Sequence, residues 1–384
     1  MADLRQYKCP NCGGYVEFDS TIQKMKCPFC DSVFEVSDFL TEEDVQDSHE
    51  SGEDTSADEA ADETLAESSG EAGDTATWEC ESEQVWSESE LEGMMVYHCD
   101  SCSGEIIGDA SMGATRCPYC GNNVVIREKF SGGLKPDYLI PFVHTAKEAE
   151  QHLEKHIRSY RFAPPSFYDR KNLSEVKGIY VPFWLFDSSA DFDCTYEGTR
   201  MGRRWRDGDY NCQEIEHYLI RKKGHMDFQK IPADGSRKMD DQMMDSLEPF
   251  DMSAMVPFAS PYLAGFWADR YDVAADENQK RVDERVYQTV ETEVNDSVQG
   301  FQSISRRSGV IEPHGGKASY ALLPVWMLTM KWKDQTYTYA MNGQTGKIVG
   351  TIPFDGKVFR SFLLSRSLIY GLAAAAIAAV VTIL

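Results

Sequence analysis

No lysine or arginine occurs between Asp38 and Glu92, although 21 aspartates and glutamates do. That one segment carries −21 of the chain's net charge of −25 and leaves −4 for everything else, so the acidity belongs to a linker and not to the folded parts. Large apolar residues are scarce there too, and such a composition buries too little surface to offset ordering entropy. Residues 38–93 are therefore expected to be a disordered, self-repelling spacer. Trp78, Trp86 and Leu91, at its C-terminal end, leave room for a docking motif. The opening stretch MADLRQYK lacks the apolar core of a secretory signal, which argues against an oxidising compartment and structural disulfides. Also missing are HExxH, GxSxG, the dinucleotide-binding glycine fingerprint and any helicase motif. No enzyme is expected.

What the chain does have is a repeated cysteine pattern. CPNCGGYVEFDSTIQKMKCPFC at 9–30 and CDSCSGEIIGDASMGATRCPYC at 99–120 each place two cysteine pairs fourteen residues apart. Two residues between paired cysteines let both thiolates of one turn face a single tetrahedral ion, and a spacer of this length brings in a second turn through a short hairpin. Cys9, Cys12, Cys27 and Cys30 are expected to hold one Zn2+, and Cys99, Cys102, Cys117 and Cys120 a second. Redox CxxC pairs come singly inside a βαβ pattern, unlike these matched quartets. Pro10, Pro28 and Pro118 suit the first turn position, and Gly13 and Gly121 the positive φ of such knuckles. Asp31 and Ser103 break the pattern at the other two. A site closed by four thiolates leaves no position for a reactive water, so the zinc is expected to be structural.

Ribbons often bind nucleic acid, but these lack the basic surface for it. Residues 1–37 hold four basic residues against five acidic ones, and residues 94–130 hold three against four. With the acidic segment between them, nucleic acid is not an expected partner.

Between the second quartet and the C-terminal tail, residues 134–356 read as one α+β domain. Thr145 is a helix cap for Ala146 to Arg161, stopped by Pro164 and Pro165. GIYVPFWLFDSSADFDCTYEG and YNCQEIEHYLIRKKGHMDFQKI read as strands, and ALLPVWMLTMKWKDQTYTYAMNGQTGKIVGTIP as a meander with a tight hairpin at Asn342-Gly343. A charged helix from about Ala274 to Val294 separates the two sets. The expected architecture is an antiparallel sheet with helices on one face. NGQTGK is not a phosphate loop, because only two residues separate Gly343 from Gly346 and Ile348 stands where a magnesium-binding hydroxyl belongs. His152 and His156 read as a pair on a solvated helix face, Cys194 and Cys212 as small core residues, and Cys80 as partnerless.

The tail SLIYGLAAAAIAAVVTIL, residues 367–384, carries no charge and would span roughly 27 Å as a helix, enough to cross a hydrocarbon core. Lys357, Arg360 and Arg366 precede it, which expects a single C-terminal transmembrane helix in the inner membrane with the rest of the chain in the cytoplasm.

The paired quartets, YVPFW (180–184), PYLAGFWADRYDV (261–273), NGQTGKIVG (342–350) and the apolar tail together resemble an uncharacterised bacterial family usually labelled transcription factor IIB-type zinc-ribbon proteins. The resemblance spans nearly the whole chain except the acidic segment. Relatives often bear the name of the primosomal helicase PriA, an activity that does not carry over because the nucleotide-binding core is missing. Others are membrane proteins encoded beside phage-shock-type and SPFH-domain proteins, which implies a scaffold that recruits envelope-stress proteins to the membrane. The expected function is thus a tail-anchored adaptor binding protein partners at the membrane surface, with a nucleic-acid-associated factor as the alternative.

Overall fold

The computed structural model describes residues 7–40, 79–80, 86, 91, 94–109, 116–120, 122, 124–129, 134–333 and 335–383. Most of the acidic segment expected to be disordered, including Trp78, lies outside these, as does Gly121; within that segment Glu79–Cys80 pair with Lys317–Ala318 and Trp86 is buried, so these residues are ordered against expectation. In chain order the strands and helices are β1 (Glu17–Asp19), β2 (Lys24–Lys26), β3 (Val33–Phe34), β4 (Glu79–Cys80), β5 (Met94–His98), β6 (Glu105–Asp109), β7 (Val125–Lys129), β8 (Tyr138–Leu139), α1 (Ala146–Ser159), β9 (Leu173–Asp207), β10 (Tyr210–Asp234), α2 (Asp241–Leu247), β11 (Val256–Pro257), β12 (Trp267–Asp269), α3 (Ala275–Asp296), β13 (Ser303–Trp332), β14 (Gln335–Asn342), β15 (Ile348–Gly350) and α4 (Gly356–Ile383).

Strands β1, β2 and β3 make a small antiparallel sheet, and the other twelve join a single large one. Its spine is β9, flanked by β10 and β13 in long antiparallel ladders. The VPFWLF run at 181–186 is buried on both sides, so it reads as a continuous apolar stretch instead of alternating. Side chains of alternate parity go to two separate cores. Tyr180, Trp184 and Phe186 pack with α1 and α3, whereas Ile179, Val181 and Phe183 pack with α2 and the second cysteine unit. Helices therefore cover both faces, not one.

α1 begins where the sequence signals it: Thr145 Oγ accepts from the Glu148 N–H, and the Glu148 carboxylate accepts from the Thr145 N–H. Its buried stripe is Ala149, Leu153 and Ile157, and that of α3 is Val282, Val286, Val290 and Val294. β13, β14 and β15 form the expected meander. The turn after β14 is longer than a two-residue hairpin. Asn342 Oδ1 accepts from the N–H groups of Gln344 and Thr345, and Gly346, not Gly343, takes the positive φ of +75°. His152 does not face solvent alone, since its Nδ1 lies 3.0 Å from the Gly346 carbonyl and half-buried His156 faces the Tyr339 ring.

The sheet crosses the boundary expected between residues 94–130 and 134–356, because β12 pairs with β6 on one side and with β9 on the other. At the end of the acidic segment, Trp86 packs edge-on against Phe258, in this protein's own core.

α4 starts eleven residues ahead of the expected Ser367. Asp355 Oδ1 caps the N–H of Lys357, and Phe359 and Phe362 pack on Phe162 at ring separations of 5.2 and 5.3 Å, which extends the helix back to the body. It is long and apolar enough to cross a membrane.

Phe142 is fully buried, stacked 4.2 Å from Phe266 and edge-on to Tyr180 and Trp326. Phe142→Ala is expected to destabilise the chain by ~3–5 kcal/mol, read by urea denaturation of the protein in detergent.

Candidate metal centres

Each cysteine quartet converges on one point. Cys9, Cys12, Cys27 and Cys30 lie within 4.8 Å of one another through their sulfurs, and so do Cys99, Cys102, Cys117 and Cys120. The pairs Cys9–Cys30 and Cys12–Cys27 are both 3.5 Å apart, Cys99–Cys120 is 3.4 Å and Cys102–Cys117 is 3.6 Å. Those separations are far beyond an S–S bond of ~2.05 Å. Four sulfurs set tetrahedrally ~2.3 Å from a zinc ion would stand ~3.8 Å apart, so each cluster could hold a metal ion with little adjustment. Cys80, Cys194 and Cys212 belong to neither.

The knuckle backbones explain the convergence. Cys9 accepts from the Gly13 N–H, Cys27 from Asp31 and Cys99 from Ser103, at 2.8 to 2.9 Å. Gly13 sits at φ +73°, and Asp31 and Ser103 adopt +56° as well. The left-handed turn is thus kept where glycine is missing, at the steric cost of a Cβ. Within the first quartet, hydrogen bonding with Ser32 holds the exposed Cys30 thiol down to about 6. In the second, burial pushes the Cys117 thiol up.

The two units differ in how they meet the body. In the first, Phe18 N–H donates to the Ala264 carbonyl, Phe18 packs on Tyr262 and the Tyr7 and Ser260 hydroxyls are 2.7 Å apart. The knuckle itself stays outside: Phe29 is 64% exposed, resting edge-on against Tyr15. Tyr119, its counterpart ninety residues on, is buried and donates to Asp269 Oδ2 at 2.5 Å. Asp269 also accepts from Ser236 Oγ at 2.8 Å, Lys238 Nζ at 2.6 Å and the Arg270 N–H at 2.8 Å. Burial raises the Asp269 carboxyl, with Lys238, Tyr119 and Ser236 acting in the opposite direction. Lys238 reaches on to the Glu105 carbonyl, tying β6 to the same point. Sequence inspection missed Asp269, Lys238 and Ser236. The available signal was a lone acid within the apolar run FWADRY.

No family model matches the chain, and no solved structure matches it. The uncharacterized protein YdjG of Bacillus subtilis (strain 168) is 34% identical over 235 residues, which are 61% of this chain and 69% of that protein. The chain belongs to the YdjG family. The matched length is several times that of either cysteine unit, so what the YdjG family shares includes much of the sheet as well as any knuckles.

Beside this network lies Asp234, buried by β10 and α3, with Oδ1 accepting from the Ser236 N–H. Burial, then the charges of Asp241 and Asp269, push its carboxyl up to about 8. The folded state then holds a proton that the unfolded chain releases near pH 4, so this group's contribution to stability is fully present below pH 4 and is lost as pH rises through about 8. Asp234→Asn should flatten that fall, gaining stability over wild type at pH 8 relative to pH 5 in urea titrations. An identical pH slope in the two proteins would contradict the assignment.

Proposed function

We propose that this protein is a membrane-held, non-catalytic adaptor: two zinc ribbons of the transcription factor IIB type, stapled to an α+β body, present protein-binding surface beside a bilayer spanned by α4. The observation that carries this reading is the unequal fate of the two knuckles. Tyr119 of the second is sunk in the body and hydrogen-bonded, while Phe29 of the first, with Tyr15, Ile22 and Val33 around that unit, remains exposed. A closed four-thiolate site offers stiffness and no reactive position, so the first unit reads as a rigid mount for an apolar contact. α4 supports the membrane reading, because Leu364, Leu368, Ile369 and Leu372 stand exposed beyond the Phe162 cluster. Lys357, Arg360 and Arg366 at its start favour a cytoplasmic body.

A photo-cross-linking residue at position 29 of the full chain, in native membranes, is expected to give a discrete protein adduct that disappears when Cys12 is changed to Ser. Adducts to lipid alone, or an adduct indifferent to Cys12, would remove the adaptor reading.

Metal content is a separate test. Elemental analysis should find two zinc ions per chain. Cys12→Ser should leave one and destabilise the large sheet only modestly, through the lost packing of Val16, Phe18 and Met25 against it. Cys117→Ser should also leave one but destabilise that sheet by several kcal/mol, because binding energy at such sites, on the order of 10 kcal/mol, is folding energy and the second unit is continuous with the body.

A further inference from the structure

Beyond Thr199, where β13 ends its pairing, β9 and β10 continue alone as a two-stranded arm that turns at Gly208. Residues 199–210, TRMGRRWRDGDY, hold four arginines against two aspartates in a chain whose net charge is −25. None of the four has a carboxylate partner among the described residues. Arg200 lies over the Phe301 ring, Arg203 lies over Trp205, Arg204 meets the Met201 sulfur and Arg206 donates to the Gly208 carbonyl. Several arginines elsewhere are held by acids, as Arg221 is by Asp193, Arg285 by Glu248 and Arg306 by Glu291. Apolar groups are exposed at the same end: Tyr210 is 78% exposed, Ile215 56%, Met201 45% and Trp205 44%.

We infer that this arm end binds an anionic bilayer surface other than the one that holds α4. Guanidinium groups free of carboxylates match phosphate and carboxylate headgroups. Tryptophan and tyrosine settle at the water–hydrocarbon boundary, with an apolar body and a polar handle. Base stacking would use those two rings, but it would not use Met201 or Ile215, and this favours lipid over a nucleic acid strand. Position sets which bilayer. The first residue of β9, Leu173, pairs with Met330 and lines a cavity with Ile157 and Arg158 at the C-terminal end of α1, just before the Phe162 on which α4 is seated. From there to the arm end β9 is 35 residues long, a strand length on the order of 100 Å. The choice of a second bilayer rests on α4 being the span, and the lipid contact itself does not.

The full chain, held in a phosphatidylcholine nanodisc, would be mixed with protein-free vesicles and separated by flotation. Vesicles containing phosphatidylserine should carry the discs up at low salt, and pure phosphatidylcholine vesicles should not. R203E/R204E should weaken this by about 25-fold, at roughly fivefold per arginine, and Trp205→Ala by a smaller factor, with zinc content and melting unchanged in both. No flotation, flotation indifferent to these substitutions, or arm-dependent binding of a single-stranded oligonucleotide that displaces the vesicles would overturn the inference. Protein that fails to enter nanodiscs would count against α4 instead, and the same flotation would then read the arm on the disc-free chain.

Discussion

A carboxylate with no access to water fixes how this protein is put together. Asp269 sits on β12, between β6 of the second cysteine unit and β9 of the body, and its four donors come from Tyr119, Ser236, Lys238 and its own chain. An unpaired charge in that position would cost several kcal/mol, so the carboxylate is tolerable only when all these elements arrive together. The segment from Ser260 to Val273 is thereby the junction of the molecule. Its first half meets the first cysteine unit through Ser260, Tyr262 and Ala264, and its second half meets the second through Trp267 and Asp269. That double duty accounts for its run of aromatics, which pack in both directions.

Because strand parity sends alternate residues of β9 to opposite faces, the two cysteine units are not equivalent neighbours. The first contributes Val16, Phe18 and Met25 to the core shared with α1 and α3, and the second contributes Tyr97, Ile106 and Tyr119 to the core shared with α2. A sheet covered on both faces needs long apolar runs in its central strands, and 179–186 supplies one. Where the second face loses its cover, beyond Asp187, polar residues return and the His225–Asp191–His314 contacts bridge three strands in the open.

What could be read from the chain divides by the range of the interaction responsible. Cysteine convergence, the Thr145 cap and the existence of the α3 helix depend on residues within about one hairpin or a few turns, and they stand as the sequence indicated. Left-handed turns at Asp31 and Ser103 ran against local preference, since closure of the knuckle outweighs the modest strain of a Cβ there. The 35-residue length of β9 was not visible, because its partner changes from β13 and β12 to β10 alone as it leaves the body, and no local signal marks those exchanges. Fusion of the second cysteine unit to the sheet was hidden for the same reason: β6 finds β12 far along the chain, Ile107 pairing with Ala268 and Ile106 with Asp269. Helices on both faces followed from α2, a short element with two buried apolar residues and too little periodicity to declare its side.

Charge separation in the chain follows the same architecture. Most of the net charge of −25 lies in one acidic stretch, while the arm end collects four arginines with no carboxylate partner among the described residues. Had those arginines served stability, the acids on neighbouring strands would be expected to pair with them. Glu216 lies directly across from Arg200, yet it accepts from the Tyr218 hydroxyl. Arg200 meanwhile donates to the Gly300 carbonyl and lies over aromatic rings. Exposed ion pairs contribute little in any case, so the fold loses almost nothing by leaving these cations free. The physical consequence is a protein whose body is held by one buried acid, whose two thiolate clusters stiffen opposite faces, and whose arginines without a carboxylate partner among the described residues gather at the end of β9 distant along the strand from the apolar helix.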